Sequence, residues 1–322
     1  MRHSFKMKVG IALGGGAARG LAHVGVLRTL VRNKIPLDVI VGTSMGAIIG
    51  GAWVAGGDID ALESQVRSTL SSEQFRKNRL SFLKETKQQR GGLFFSVRNL
   101  VRRGVFFGVS NLRPSFVSAE EFAHTMESVV PDVLIDELPK RFGAVALDLE
   151  DACEVVICSG SLRKATAASA AIPGVLPPVR RNGRLLIDGG WVDKLPVLPA
   201  FKLGADLVIA VDITAAPAEV AEYKRGVDIM VRADSIKDSA LVGFQRRMAD
   251  LVIRPEVQHI HWADFGAHDR CIEAGAVAAA AALPEIRELL RAERLLSLVR
   301  TGTGRRMAEL QLQAAGDQLA IE

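Results

Sequence analysis

The sequence lacks most of the features that would take it out of the ordinary globular class. It has three cysteines in 322 residues, Cys153, Cys158 and Cys271, with no paired spacing that could ligate a metal. That excludes a disulfide scaffold, and an odd count without an export signal predicts reduced thiols serving as small core residues in a cytosol. A secretory leader is not expected either. Behind Arg2, Lys6 and Lys8 the only apolar stretch is Val9 to Leu13 before a glycine run, too short for a signal-peptide core. Ile40 to Gly57 gives 18 residues without a charge, at the lower limit for a membrane span, but six of the 18 are glycine. Glycine clusters weaken a helix, so the stretch reads as a buried strand, a tight turn and a buried helix. There is no internal repeat and no acidic-loop pattern for calcium, so neither a cofactor nor a metal is expected.

Charge is present but unevenly spread. The formal total is +5, yet between Phe75 and Gly104 nine Lys/Arg face one acid, Glu85, giving +8 there and −3 over the remainder. The basic charge is therefore a patch rather than a general property. Phe94, Phe95, Leu100, Val101, Phe106 and Phe107 interleave with Arg98, Arg102 and Arg103. Such a mix suits an anionic lipid surface, the aromatics entering the interface and the cations meeting headgroups. A solvated charge run over an ordinary core segment is the bland alternative. Nucleic acid is not expected, because no reading motif accompanies the patch. The whole stretch of about residues 70–115 is interrupted by Gly91, Gly92, Gly104 and Gly108 and suits a lid or docking element. A cytoplasmic location with peripheral contact at the inner membrane surface is the resulting expectation.

With 48% hydrophobic and 24% charged residues the chain can build a sizeable core in one large domain or two smaller ones. Apolar strands are predicted at Val9–Leu13, Leu37–Val41, Phe142–Leu147, Glu154–Cys158, Leu185–Ile187, Leu207–Val211 and Leu251–Ile253. Helical spacing marks Gly20–Asn33, Ala47–Ala55, Ala119–Val129, Ser161–Ala171 and an amphipathic stretch from Pro284 onward, followed by a loose tail. Strands that are apolar throughout and alternate with helices imply an α/β protein with a mainly parallel sheet buried on both faces.

Three short motifs carry chemistry. Gly42-Thr43-Ser44-Met45-Gly46 is a G-x-S-x-G set between a predicted strand and a predicted helix. A nucleophilic serine needs such a sharp turn to expose its hydroxyl, with small neighbours to avoid clashes. An ordinary helix N-cap is the competing reading. Gly14-Gly15-Gly16-Ala17-Ala18-Arg19-Gly20 lies between the first strand and first helix, where successive backbone N–H groups can form an anion-binding concavity. A dinucleotide fingerprint would need glycine where Arg19 stands, and a phosphate loop would need lysine and a hydroxyl residue where Leu21 and Ala22 stand. An oxyanion hole fits better. Asp188-Gly189-Gly190 directly follows an apolar run, so its carboxylate can approach another strand-end loop, although Asp-Gly is also a common turn dipeptide.

Taken together, GGGAARGLAHVGVL, GTSMG and IDGG, in this order and spacing, resemble the patatin-like phospholipase family. The similarity continues through Ala168–Val179 and Leu251–Ala280 and covers roughly residues 7–281, leaving 282–322 as a C-terminal helix and tail. The resemblance implies a three-layer α/β/α fold and a serine acyl hydrolase acting on (lyso)phospholipid or related acyl esters. It further implies Ser44 as nucleophile, Asp188 as general base, and the amides around Gly15, Gly16 and Ala17 as oxyanion donors. Three positions depart from the family pattern: Ala17 where bacterial relatives usually have glycine, Lys194 in a stretch that often holds asparagine, and Ala146-Leu147-Asp148-Leu149 for an Ala-Thr-Asp-Leu-like segment. A histidine completing a triad would have to follow Asp188, which leaves His259, His261 and His268, whereas His23 within the first helix reads as structural. Two other classes stay open at this point. One is a regulatory protein on the same fold with little turnover, the other a nucleotide binder using the glycine loop.

Overall fold

The computed structural model describes residues 7–72, 115–215, 226–299 and 319–322. Its centre is a mixed sheet. Strands β1 (Val9–Leu13), β2 (Val39–Thr43), β3 (Arg141–Asp148), β7 (Leu207–Val211) and β8 (Leu251–Ile253) run parallel to one another. Antiparallel to β3 lie β4 (Cys153–Ile157) and β6 (Arg184–Asp188), and β6 pairs in turn with β5 (Val179–Arg181). Every residue of β1, β2 and β7 is buried, as expected for strands covered on both faces.

One face carries the larger apolar layer, built by α1 (Ala22–Arg32), α2 (Met45–Gly56), α3 (Ile59–Ser71), α4 (Ala119–Glu127), α5 (Leu162–Ser169) and α8 (His268–Val299). On the other, α6 (Val197–Lys202) and α7 (Gly226–Met248) cover Ala12, Val39, Val41, Val208 and Ala210. The result is a three-layer α/β/α arrangement. Side-chain caps start several helices where their sequences offer them, Asp58 accepting from the Asp60 and Ala61 amides and Ser118 from that of Glu121. Helices α1 and α8 cross very closely. A Cβ built on Gly25 would lie 1.8 Å from the Ile272 carbonyl oxygen, and one on Gly275 would lie 2.0 Å from that of Ala22.

The register of β3 positions the site. Its first half pairs with β2, ending at Thr43 opposite Val145, and its second half pairs with β6, ending at Asp188 opposite Ala146. Because β4 occupies the opposite edge, β2 and β6 share one edge of β3 and meet there end to end. Ser44 and Asp188, 144 positions apart, are thereby brought face to face.

Several expectations shift. β2 runs on to Thr43 rather than stopping at Val41, because Gly42 and Thr43 still pair with Ala144 and Val145. The first helix begins as a 3-10 turn over Ala17–Leu21 before α1. The helix expected from Pro284 is the second half of α8, which passes through Pro284 and across the expected boundary at residue 281. The tail was expected to be loose, but β9 (Leu319–Ile321) adds a parallel strand to β4, and Arg184 holds the Glu322 carboxylate at 2.6 Å. The expected lid or docking element, with Arg98, Arg102 and Arg103, lies outside the described residues. Among the described residues no helix is long and apolar enough to cross a membrane.

Candidate active site

Ser44 occupies the turn between β2 and α2 with φ 55° and ψ −121°, a conformation that a non-glycine residue adopts only under strain. The packing enforces it. A Cβ on Gly46 would lie 2.1 Å from the Leu13 carbonyl oxygen, and one on Gly42 would lie 2.3 Å from the Ala47 nitrogen, so both motif glycines are required by close approach. Although Ser44 sits at the N-cap position of α2, its side chain makes no capping bond. Its hydroxyl instead donates to Asp188 Oδ2 at 2.7 Å, and both residues are buried.

Asp188 is held from its other oxygen, Oδ1 accepting the Gly190 N–H at 2.7 Å. Gly189 lies against β3, where a Cβ would come 2.3 Å from the Val145 carbonyl oxygen. Burial pushes the Asp188 carboxyl up to about 6, while the hydrogen bonds from Ser44 and Gly190 and the Lys194 ammonium pull the other way. No imidazole stands between Ser44 and Asp188, whose side chains bond directly. His23 is buried with Nε2 2.8 Å from the Gly14 carbonyl oxygen, and desolvation lowers its pKa to about 4, which fixes it as a neutral structural group. His268 places Nδ1 3.1 Å from the Phe265 carbonyl oxygen.

The loops around this pair are tied to one another by hydrogen bonds to backbone carbonyls. The Gly15 N–H donates to the Lys194 carbonyl at 2.8 Å, the Ala18 N–H to that of Trp262 at 2.9 Å, and Thr43 Oγ1 to that of Asp193 at 2.8 Å. These bonds divide the glycine loop. Gly15 was expected among the oxyanion donors, but its amide is already taken by Lys194, leaving the amides of Gly16 and Ala17 without a partner among the described residues. A phosphate cradle would need more of the loop than that. Ala17 has φ 48°, so the alanine that replaces a glycine here does adopt the left-handed region, at a cost of about 1–2 kcal/mol. Gly20 lets the turn lie on α2, a Cβ there falling 2.5 Å from Met45 Cβ. Arg19 is half-buried. Burial lowers its pKa, opposed by Cys271 and Asp212, and its Nε has no hydrogen-bond partner among the described residues.

One functional support has no signal of its own in the motifs. The Ser44 N–H donates to Ser169 Oγ at 2.9 Å, and Ser169 Oγ donates onward to the Val145 carbonyl at 2.5 Å. Ser169 therefore clamps the strained turn to β3 from α5.

An apolar cavity opens beside the Ser44 hydroxyl. Met45 and Ile48 of α2, Val66 and Leu70 of α3, and Phe122 and Met126 of α4 form much of its wall, and no charged side chain among the described residues lines it. A chamber of this composition suits a hydrocarbon chain better than a charged group, whose desolvation the described lining would not offset.

Comparison with known proteins places the chain in a family. The family model described as Patatin-like phospholipase matches residues 11–201. An NTE family protein of Mycobacterium bovis is 34% identical over 225 residues, covering 69% of this chain and 54% of its own length. The neuropathy target esterase of Drosophila melanogaster is 30% identical over 207 residues, 64% of this chain and 13% of that protein. A lysophospholipase of Saccharomyces cerevisiae is 27% identical over 208 residues, 65% of this chain and 11% of that protein. The chain thus spans about half the length of the mycobacterial relative and a smaller share of the others. Among solved structures, VipD from Legionella pneumophila superposes with a TM-score of 0.44 at 14% identity, over 87% of this chain and 67% of that one. The family match spans more than half of the chain and contains the serine turn, the glycine loop and the Asp-Gly-Gly turn, so the chain belongs to the patatin-like phospholipase family.

Proposed function

We propose that this chain is a serine acyl hydrolase that cleaves fatty-acyl esters of lipids, of the phospholipid or lysophospholipid kind, through Ser44 and Asp188. The observation that carries the reading is the 2.7 Å bond from a strained, buried serine to a carboxylate whose basicity is raised by burial, beside a chamber whose described lining is apolar. The name of the yeast relative, a lysophospholipase, supports the same substrate class, and that of the insect esterase supports ester cleavage.

In this mechanism Ser44 Oγ attacks the ester carbonyl carbon while its proton passes to Asp188 Oδ2. The carbonyl oxygen, now an oxyanion, is met by the Gly16 and Ala17 amides, each worth about 100- to 1,000-fold in rate. The C–O bond to the alcohol breaks, and the leaving oxygen takes the proton from Asp188. Water then gives a proton to the same carboxylate as it attacks the acyl-enzyme, and the fatty acid leaves as Ser44 recovers its proton. A carboxyl near 6 is a far better base at neutral pH than one near 4, and it is still ionised there. Rates should accordingly fall about tenfold per pH unit below that value.

The decisive experiment is labelling with a serine-reactive fluorophosphonate followed by peptide mapping. The expected result is one modified residue, Ser44, with labelling abolished in Ser44→Ala. Labelling at another serine, or none in a protein that hydrolyses esters, would overturn the reading. The chamber makes a separate prediction. Met126→Trp fills space on its α4 wall, so the ratio of long-chain to butyryl ester hydrolysis should drop by about tenfold or more, with butyryl turnover nearly retained. An unchanged chain-length profile would exclude this cavity as the acyl site.

A further inference from the structure

The turn that follows the Asp-Gly-Gly sequence contains a charged residue whose two ends do different things. Lys194 lies between the 3-10 turn Gly189–Trp191 and α6. Its carbonyl oxygen accepts the Gly15 N–H, which fixes the glycine loop. Its side chain runs back along the turn. A Cβ built on Gly190 would lie 3.0 Å from Asp188 Oδ1 and 3.8 and 3.9 Å from Lys194 Cγ and Cε, so the carboxylate and the lysine stem border the same small space. The ammonium is then held in place by an ion pair with Asp238, halfway along α7. Both partners are largely shielded, at 29% and 26% exposure, so water screens the arrangement only in part.

The position of α7 keeps this pair in register. Gln245 Oε1 accepts the Leu195 N–H at 3.2 Å, Val242 is buried against the layer that contains Leu195, and Arg246 Nε lies 2.5 Å from Asp212 Oδ2. Asp238 thus reaches Lys194 from the outer helical layer. The next acid along the turn, Asp193, keeps its own carboxylate on the Leu195 N–H at 3.1 Å, and burial pushes its pKa upward. Lys194 is the charged group that acts on Asp188 from this side.

Resting on the Ser44–Asp188 reading, we propose that Lys194 is a positioning residue that sets the basicity of Asp188, with Asp238 as the counter-charge that limits its effect. A cation whose stem borders the same space as Asp188 favours the ionised carboxylate and so helps keep the base usable in a site where burial works against it. Too strong a cation would make the carboxylate a poor proton acceptor, and Asp238 prevents that by partly neutralising Lys194. The pair therefore acts as a set point for the base.

The test is the pH dependence of kcat/KM on a soluble short-chain ester, measured for the intact chain and three variants, with thermal melts to confirm folding. Lys194→Met removes the cation, so the acid limb should move to higher pH by roughly one unit. Asp238→Asn leaves the cation uncompensated, so the limb should move to lower pH. Lys194→Arg keeps the charge and should restore the limb of the intact chain. A residue that merely held the turn together would move both variants in the same direction or lower the plateau alone. Limbs that stay in place, or that shift together in Lys194→Met and Asp238→Asn, overturn the proposal and leave the Ser44–Asp188 mechanism standing. Activity that persists in Ser44→Ala, or an intact chain without an acid limb, overturns the mechanism itself and the proposal with it.

Discussion

Asp188→Asn is expected to lower kcat on a p-nitrophenyl ester by about 100- to 10,000-fold while raising the melting temperature at pH 7. The two effects share one cause. An asparagine side chain has nearly the shape of aspartate and can still accept the Gly190 N–H through its carbonyl oxygen. Where Oδ2 now accepts from Ser44, however, the amide presents an NH2 group, and the hydroxyl loses the acceptor for its proton. The stability sign runs the other way. Burial raises the folded-state pKa of Asp188 from the ordinary carboxylate value to about 6, so the folded chain binds its proton more tightly than the unfolded chain does. That contribution is fully present at low pH, is lost as pH rises through the window between the two values, and leaves a charged, desolvated group as a net cost at neutral pH. Removing the charge should recover on the order of 2 kcal/mol. Ser44→Ala should abolish turnover to the background rate, and the double variant should be no worse than Ser44→Ala alone, because the two groups act on one proton. Turnover that falls together with the melting temperature would point to a damaged fold instead. Equal activity in all three chains would remove Ser44 and Asp188 from the mechanism.

How much of this arrangement could be read from the sequence depends on how local each cause is. The strain at Ser44 is written in five consecutive residues, since the glycines at 42 and 46 are the local signature of a turn that tolerates no Cβ. The parallel strands were legible because β1 and β7 are apolar at every position and buried at every position. Ser169 was not legible as a clamp. It lies 125 residues from the amide it accepts, and its role depends on the register of β3 and on where α5 lands. The division of the glycine loop has the same origin. Whether the Gly15 amide is free or spoken for is decided by a carbonyl at position 194, not by the loop itself. Similarly, Asp-Gly-Gly announces a carboxylate at a strand end, but its raised pKa comes from burial by elements distant in sequence. Helix α3 had a usable signal in Asp58 followed by Ile59, Leu62 and Val66 at helical spacing, all three buried on one face. The edge strand Leu319–Ile321 had none, because three residues define no period.

The second large effect concerns the scaffold behind the glycine loop. Gly25 sits inside α1, where helix propensity alone favours alanine by about 1 kcal/mol. The packing reverses that preference. An added Cβ would lie 1.8 Å from the Ile272 carbonyl oxygen and 2.7 Å from the Ala276 nitrogen, and both are backbone atoms of α8 that cannot rotate aside. Alpha-helical backbones this close can accommodate a methyl group only by moving apart, which uncovers Leu27 and Ile272, both fully buried, and opens the layer beneath the 3-10 turn Ala17–Leu21. Gly25→Ala should therefore destabilise the chain by about 3 kcal/mol or more, the upper end of the range for overpacked cores. Gly243 in α7 is the matched control, since a Cβ there meets nothing within 4 Å. Gly243→Ala should stabilise by about 0.5–1 kcal/mol, its helix propensity being unopposed. Urea denaturation of both variants measures the contrast directly. Opposite signs for one and the same chemical change would show that the α1–α8 crossing, not glycine flexibility, is what position 25 supplies. A Gly25→Ala midpoint equal to that of the intact chain would mean that the two helices separate without cost, and the close crossing would then contribute nothing to holding the glycine loop beside Ser44.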